Sequence, residues 1–196
     1  MSDHLQIEVC FHEDHIEFRS YPYPPASIYP SGNIAVSAIR EVDADRAPPE
    51  VRIDGEILFV PATMKEELRR FVTEHSIPVV RRIDVWDLLL DPFLDTQFTS
   101  EDEERGLRVL EENGVSRNES EEIRAFVADA MKAYNWISML WEWVHLGLFD
   151  VLDAFRGVLS GPRYKLAPRE FEDFYWRAME IAGRGKRWDG GEKDGE

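Results

Sequence analysis

The stretch IRAFVADAMKAYNWISMLWEWVHLGLFDVLDAFRGV, residues 123–158, decides the fold. Its apolar residues recur at steps of four and three: Ile123, Val127, Ala130, Tyr134, Ile137, Trp141, Val144, Leu148, Val151, Phe155 and Val158. That spacing predicts a helix with one face turned to a partner. A second stripe of Trp136, Met139, Leu140, Trp143 and Leu146 joins it between Tyr134 and Phe149. A helix apolar on most of its circumference must be covered on most of it, so this is the central helix of a helical domain. Unbroken from Ser120 to Val158 it would span about 55 Å, long for a domain of this size, and Gly147 is the expected break.

Working outward, Ser160-Gly161-Pro162 should end the central stretch, and Pro168 should open a last helix. That helix would bury Phe171, Phe174, Tyr175, Ala178 and Ile181. From Gly183 the chain is mostly glycine and charge, which predicts a disordered tail over 183–196. Upstream, Ser100 is the expected cap of a helix stopped by Asn113-Gly114. Val85 to Leu90 should be a short helix ended by Pro92, and Val79 to Arg82 a last short strand. Residues 79–182 therefore read as an α-helical domain.

Residues 1–78 read as strands with one closing helix. Leu5, Ile7, Val9 and Phe11 alternate with polar neighbours, and Ile16 and Phe18 resume the alternation after a polar turn, as in a hairpin. Tyr21-Pro22-Tyr23-Pro24-Pro25 is an extended connection, because its prolines lack the amide donor. Ile34 to Val42 is a strand or strand pair. Val51 to Ile53 and Ile57 to Val60 flank Asp54-Gly55, which predicts a hairpin with a type I′ turn. Thr63 with Glu66 suggests a capping box for a helix from Met64 to His75 that buries Leu68, Phe71 and Val72. The fold class is therefore α+β, a small antiparallel sheet with one helix followed by a mainly helical domain.

The order from Ile34 to His75 is strand, Ser37-Ala38-Ile39-Arg40-Glu41-Val42, strand, Asp54-Gly55 turn, strand and closing helix. It resembles the second half of bacterial pleckstrin-homology-like domains. The resemblance implies a curved sheet closed by a helix, used as an assembly or binding module. It implies no catalytic residue, and the basic lipid-binding loops of some members have no counterpart here.

The 196 residues carry 39 acidic and 23 basic side chains, a formal charge of −16. The excess is spread over both halves. A chain this acidic repels phosphate backbones, so nucleic acid is not an expected partner. Cys10 is the only cysteine, so no internal disulfide can form. Met1 to Glu8 lacks the basic start and apolar run of a signal peptide. The most apolar window, Ala133 to Phe149, is shorter than the roughly 20 residues a membrane span needs. These features predict a cytoplasmic, acidic protein that does not enter a membrane.

Asp84, Asp87, Asp91 and Asp95 follow at steps of three, four and four, as a face of hard-metal ligands would. Pro92 interrupts that helix, and Val85, Leu88, Leu89 and Phe93 lie opposite, so the solvated face of an amphipathic helix is the preferred reading. Glu142 and His145 form one Glu-x-x-His unit, and di-metal bundles need two. A buried Glu142 would still be the best single general acid. His12 and His15 flank a turn, and two ligands do not make a metal site. No nucleophile elbow, phosphate loop or dinucleotide fingerprint occurs.

The expected function is a non-catalytic protein-binding or adaptor module without cofactor or metal. The alternative is a carboxylate enzyme using Asp84, Asp87 and Asp91, with or without a metal. The surplus apolar surface of Trp136, Leu140 and Trp143 predicts a protein partner or self-association, with a homodimer through the helical half as the specific expectation.

Overall fold

A computed structural model describes residues 7–94, 99–138 and 145–188, with the side chains of 137 and 138 apart. An antiparallel sheet region is followed by a mainly helical region, the expected α+β class. The chain divides into two compact units. The first contains residues 1–83 and 186–196, and the second contains residues 84–185.

In the first unit, β1 (Glu8–Phe11), β2 (His15–Ser20) and β3 (Gly32–Ala35) form an antiparallel sheet in that order. The alternation that predicted the hairpin sends Val9, Ile16 and Phe18 into the core. The proline-rich connection is not a bare linker. It buries Tyr21, Tyr23, Ala26 and Ile28, and the Phe59 N–H donates to the Tyr21 hydroxyl at 3.1 Å. Phe18, Tyr21, Tyr23 and Phe59 follow one another edge to face, with centroids 5.5 to 6.0 Å apart.

A second antiparallel sheet holds β4 (Glu41–Asp43), β5 (Glu50–Ile53) and β6 (Glu56–Phe59). The Asp54-Gly55 hairpin is present, but Asp54 does not take the positive φ that a type I′ turn needs; Gly55 alone does, at +75°. After β6 comes α1 (Lys65–Glu74), which buries Leu68, Phe71 and Val72 as its period requires. Thr63 does not cap it. A 3₁₀ turn over Ala62–Met64 leads in and places Met64 at the cap position.

The hydrogen-bond ladder of this second sheet continues past β4. Val42 N–H donates to Pro78 O at 2.9 Å, and Val80 N–H donates to Val42 O at 2.9 Å. Ile83 N–H then donates to Lys186 O at 2.9 Å, and Trp188 N–H to Arg81 O at 2.8 Å. Two boundaries drawn from the sequence are corrected. The sheet unit runs on past 78 to Ile83, Arg184 and Gly185 still belong to the helical unit, and residues 186–188 return to the sheet unit.

The second unit contains α2 (Val85–Leu90), α3 (Ser100–Glu112), α4 (Arg117–Ser138), α5 (Leu148–Arg156) and α6 (Pro168–Gly183). Among its described residues the central stretch forms two helices, α4 and α5. Gly147 is the cap of α5, where the break was expected. Of the described seam residues, Ile123, Val127, Ala130, Tyr134, Leu148, Val151 and Phe155 are buried and Val158 is half-buried. Three ends differ from expectation. Thr99, not Ser100, caps α3 and forms a capping box with Asp102. Arg117 opens α4, with the Ser116 hydroxyl accepting the Glu119 N–H. Gly157, at φ +80°, ends α5 before Ser160-Gly161-Pro162, because only glycine takes that left-handed position without strain. At the centre Trp86 is fully buried, and its indole N–H donates to Ala178 O at 3.0 Å. Truncating such a residue to alanine typically costs about 3–5 kcal/mol.

Candidate functional site

Two arrangements in the helical unit answer to the two expected functions. The first is the carboxylate set. Asp84 is the N-cap of α2, and its Oδ1 accepts from Trp86 N at 3.0 Å and Asp87 N at 3.1 Å. Asp87 lies in the first turn of α2, 3.1 Å from Nδ1 of His145. Asp91 is half-buried. Desolvation pushes its carboxyl up, and the charges of His145 and Arg124 oppose that shift. The aspartates are therefore not simply a wet face. Asp84 does capping work, and Asp87 and Asp91 both face His145, while Asp95 lies outside the described residues.

Glu142 lies outside the described residues too, and the partner of His145 in the structure is Asp87, not a residue three positions back. Arg124 closes the other end of α2 by donating to Leu89 O at 3.2 Å and Leu88 O at 3.1 Å, where a cation suits the exposed carbonyls.

The sequence reading missed a deeper pair. The Tyr134 hydroxyl donates to Asp150 Oδ1 at 3.1 Å, and Gly147 N–H donates to Asp150 Oδ2 at 2.8 Å. Burial pushes the Asp150 carboxyl up to about 6, against the pull of those two hydrogen bonds. Asp150 is nonetheless the third residue of α5, where its carboxylate closes the helix start. Among the described residues no group of three histidines, cysteines, aspartates or glutamates is placed to hold a metal ion. His12 and His15 stack at 4.5 Å, each beside one carboxylate, Glu17 and Asp14 respectively.

The second arrangement is aromatic. Trp136 is 75% exposed near the end of α4, and Phe126 is 55% exposed ten residues earlier, about 80° round the helix from it. Phe126 rests on Phe155 at 5.1 Å and Phe174 at 5.7 Å between ring centroids. Glu122 and Asp129, one turn to either side, are exposed. Trp176 on α6 is 40% exposed. Leu140 and Trp143, named with Trp136 as the interaction surface, lie outside the described residues. Phe126 was not legible as a surface residue, since nothing in its local sequence separates it from core.

No helix among the described residues is long and apolar enough to cross a membrane. No family model, no curated protein and no solved structure matches the chain.

Proposed function

We propose that the chain is a non-catalytic protein-binding module that recognises its partner through the aromatic face of α4. The exposure of two large aromatics, Phe126 and Trp136, on a single helix carries this reading. Large aromatics held in the open on a rigid element are the residues that dominate interface energies once covered. Among the carboxylates of the alternative enzyme, Asp84 weighs the other way, because it closes the start of α2. The succession β4, β5, β6, α1 is consistent with the resemblance of 34–75 to pleckstrin-homology-like binding modules. The lone cysteine suits a reducing compartment such as the cytoplasm.

The occupant of the face is a different protein or a second copy of this chain, and one pair of variants separates them. Trp136→Glu changes a side chain 75% exposed and should leave the melting temperature within a few degrees, while Phe126→Glu also gives up the contacts with Phe155 and Phe174, so the double variant is used only where its melt shows it folded. Light scattering at micromolar concentration reads a second copy directly, as a dimer that the double variant returns to monomer. If the wild-type chain is monomeric, a purified partner that binds it and not the double variant supports the reading. Equal binding to both sinks it.

A further inference from the structure

We infer that residues 79–83 and 186–188, two segments joined by isolated bridges beyond β4 of the second sheet, form a docking edge for an acidic extended peptide. The two segments carry Arg81, Arg82, Lys186 and Arg187 and no carboxylate, in a chain of net charge −16. Over 100 residues apart in sequence, they become neighbours only through the return of the chain after α6. The surface is independent of the α4 face.

Three features make this edge receptive. The first is backbone direction. Ile83 N–H donates to Lys186 O and Trp188 N–H to Arg81 O, with Arg82 opposite Arg187 between them. In that antiparallel pattern the N–H and C=O of Arg187 point away from residue 82, toward the outer edge. An added strand would pair there. The second is apolar contact. Val79 is 60% exposed and Trp188 52% exposed, and the Arg81 guanidinium lies 5.8 Å from the centroid of the Trp188 ring. The third is anchoring. The buried Glu41 carboxylate takes Arg82 and, at 3.1 Å, Arg187. Burial pushes Glu41 up, but the two guanidiniums outweigh it and hold it below the usual glutamate range. The edge is thus tied to the sheet from beneath, while Arg81 and Lys186 stay exposed on the surface.

Charge selects the occupant. A second copy adding its own edge would set Lys186 and Arg187 against Lys186 and Arg187, which like-charge pairing opposes. A basic segment meets the same repulsion. A phosphate polymer would meet the repulsion of the whole acidic chain. An extended segment with carboxylates at alternate positions meets Lys186 and Arg81, which share the face opposite the Glu41 pairs, and leaves its backbone free to pair.

The probe is a fluorescently labelled seven-residue peptide of alternating glutamate and valine, titrated into the full chain and read by anisotropy. Saturable binding is expected, weakening at least about tenfold as salt rises from about 50 to about 500 mM. Arg81→Glu with Lys186→Glu should weaken it at least about tenfold while the melting temperature holds. If that pair fails to fold, Arg81→Ala with Lys186→Ala is the test, with the same direction. Phe126→Glu with Trp136→Glu should bind the peptide as wild type does, so loss of the α4 reading and loss of this one are told apart. A peptide of the same charge, N-methylated at alternate residues, should not bind. Equal binding of that peptide, or of anionic vesicles, overturns strand addition. Tighter binding by a chain ended after Trp188 also overturns the inference, because the acidic residues 189–196 would then be the occupant.

Discussion

The hydroxyl of Tyr134 and the carboxylate of Asp150 meet at 3.1 Å inside the helical unit, joining α4 to the first turn of α5. Desolvation is the largest influence on Asp150 and raises it from 3.8 to about 6. The folded state therefore holds this proton more tightly than the unfolded chain does. Its contribution is fullest below the unfolded value, falls as pH rises from about 4 to about 6, and is level above that. The size is on the order of 3 kcal/mol. Asp14, Glu17, Glu41 and Asp102 are lowered and slope the other way, so the whole-protein curve hides the effect. The measurement is a difference. Asp150→Asn should gain stability relative to wild type as pH rises from 4 to 6.5, and a constant offset would show that Asp150 does not titrate there.

Gly55 takes φ +75° with no atom within 4 Å of where a Cβ would stand. Space is not the constraint there; backbone conformation is. Gly55→Val should destabilise by more than about 1 kcal/mol, because a β-branched residue resists that region. Gly55→Asn should cost less than half as much, since asparagine tolerates it. Denaturant melts of the two variants give the comparison, and equal costs would point to a packing effect instead.

What was legible in the sequence is what depends on local period. Leu68, Phe71 and Val72 on α1, and Phe171, Phe174 and Tyr175 on α6, fall inward because 3.6-residue spacing leaves them no other face. Gly147 was legible as a break because glycine inside a helix pattern is costly. Caps were less so: Thr63 and Thr99 look alike in sequence, and only Thr99 accepts a backbone N–H. Buried Glu41, Asp43, Glu50 and Arg52 defeated the alternation rule, which places charge outside. They are tolerated because each carboxylate has a guanidinium: Glu41 has Arg82 and Arg187, Asp43 has Arg46, and Glu50 accepts from Arg52 at 2.8 Å. The candidate site was half legible. The aspartate spacing was visible, but the partner of His145 is 58 residues away and no local pattern announces it. The return of Lys186–Trp188 was invisible for the same reason.

That return sets a prediction about truncation. Ending the chain after Gly185 removes the Ile83 and Trp188 hydrogen bonds and the Arg187 contact with Glu41. Two backbone hydrogen bonds at about 1 kcal/mol each, with a partly exposed ion pair worth little more, put the loss at about 2–3 kcal/mol. Thermal melts should show a fall of several degrees. An unchanged midpoint would mean that the ladder from 79 to 83 is held without its outer neighbour.

Asp84 decides between the two functions considered for the carboxylates. As the N-cap of α2 it satisfies two amide donors that would otherwise lack an intrahelical partner. Asp84→Ala should therefore cost about 1 kcal/mol, and Asp84→Asn, which keeps the accepting oxygen, markedly less. A metal ligand would behave differently. Both substitutions would then abolish any stabilisation by a divalent cation, and the wild-type melting temperature would rise with millimolar magnesium or manganese and fall with chelator. We expect no change with either addition in the wild type, and a difference between the two variants that follows capping ability alone. A rise of several degrees with manganese that is lost in Asp84→Asn and in Asp87→Asn would restore the enzyme reading. In that case the Asp87 and His145 pair, 3.1 Å apart at the start of α2, would be the place to look for the reaction.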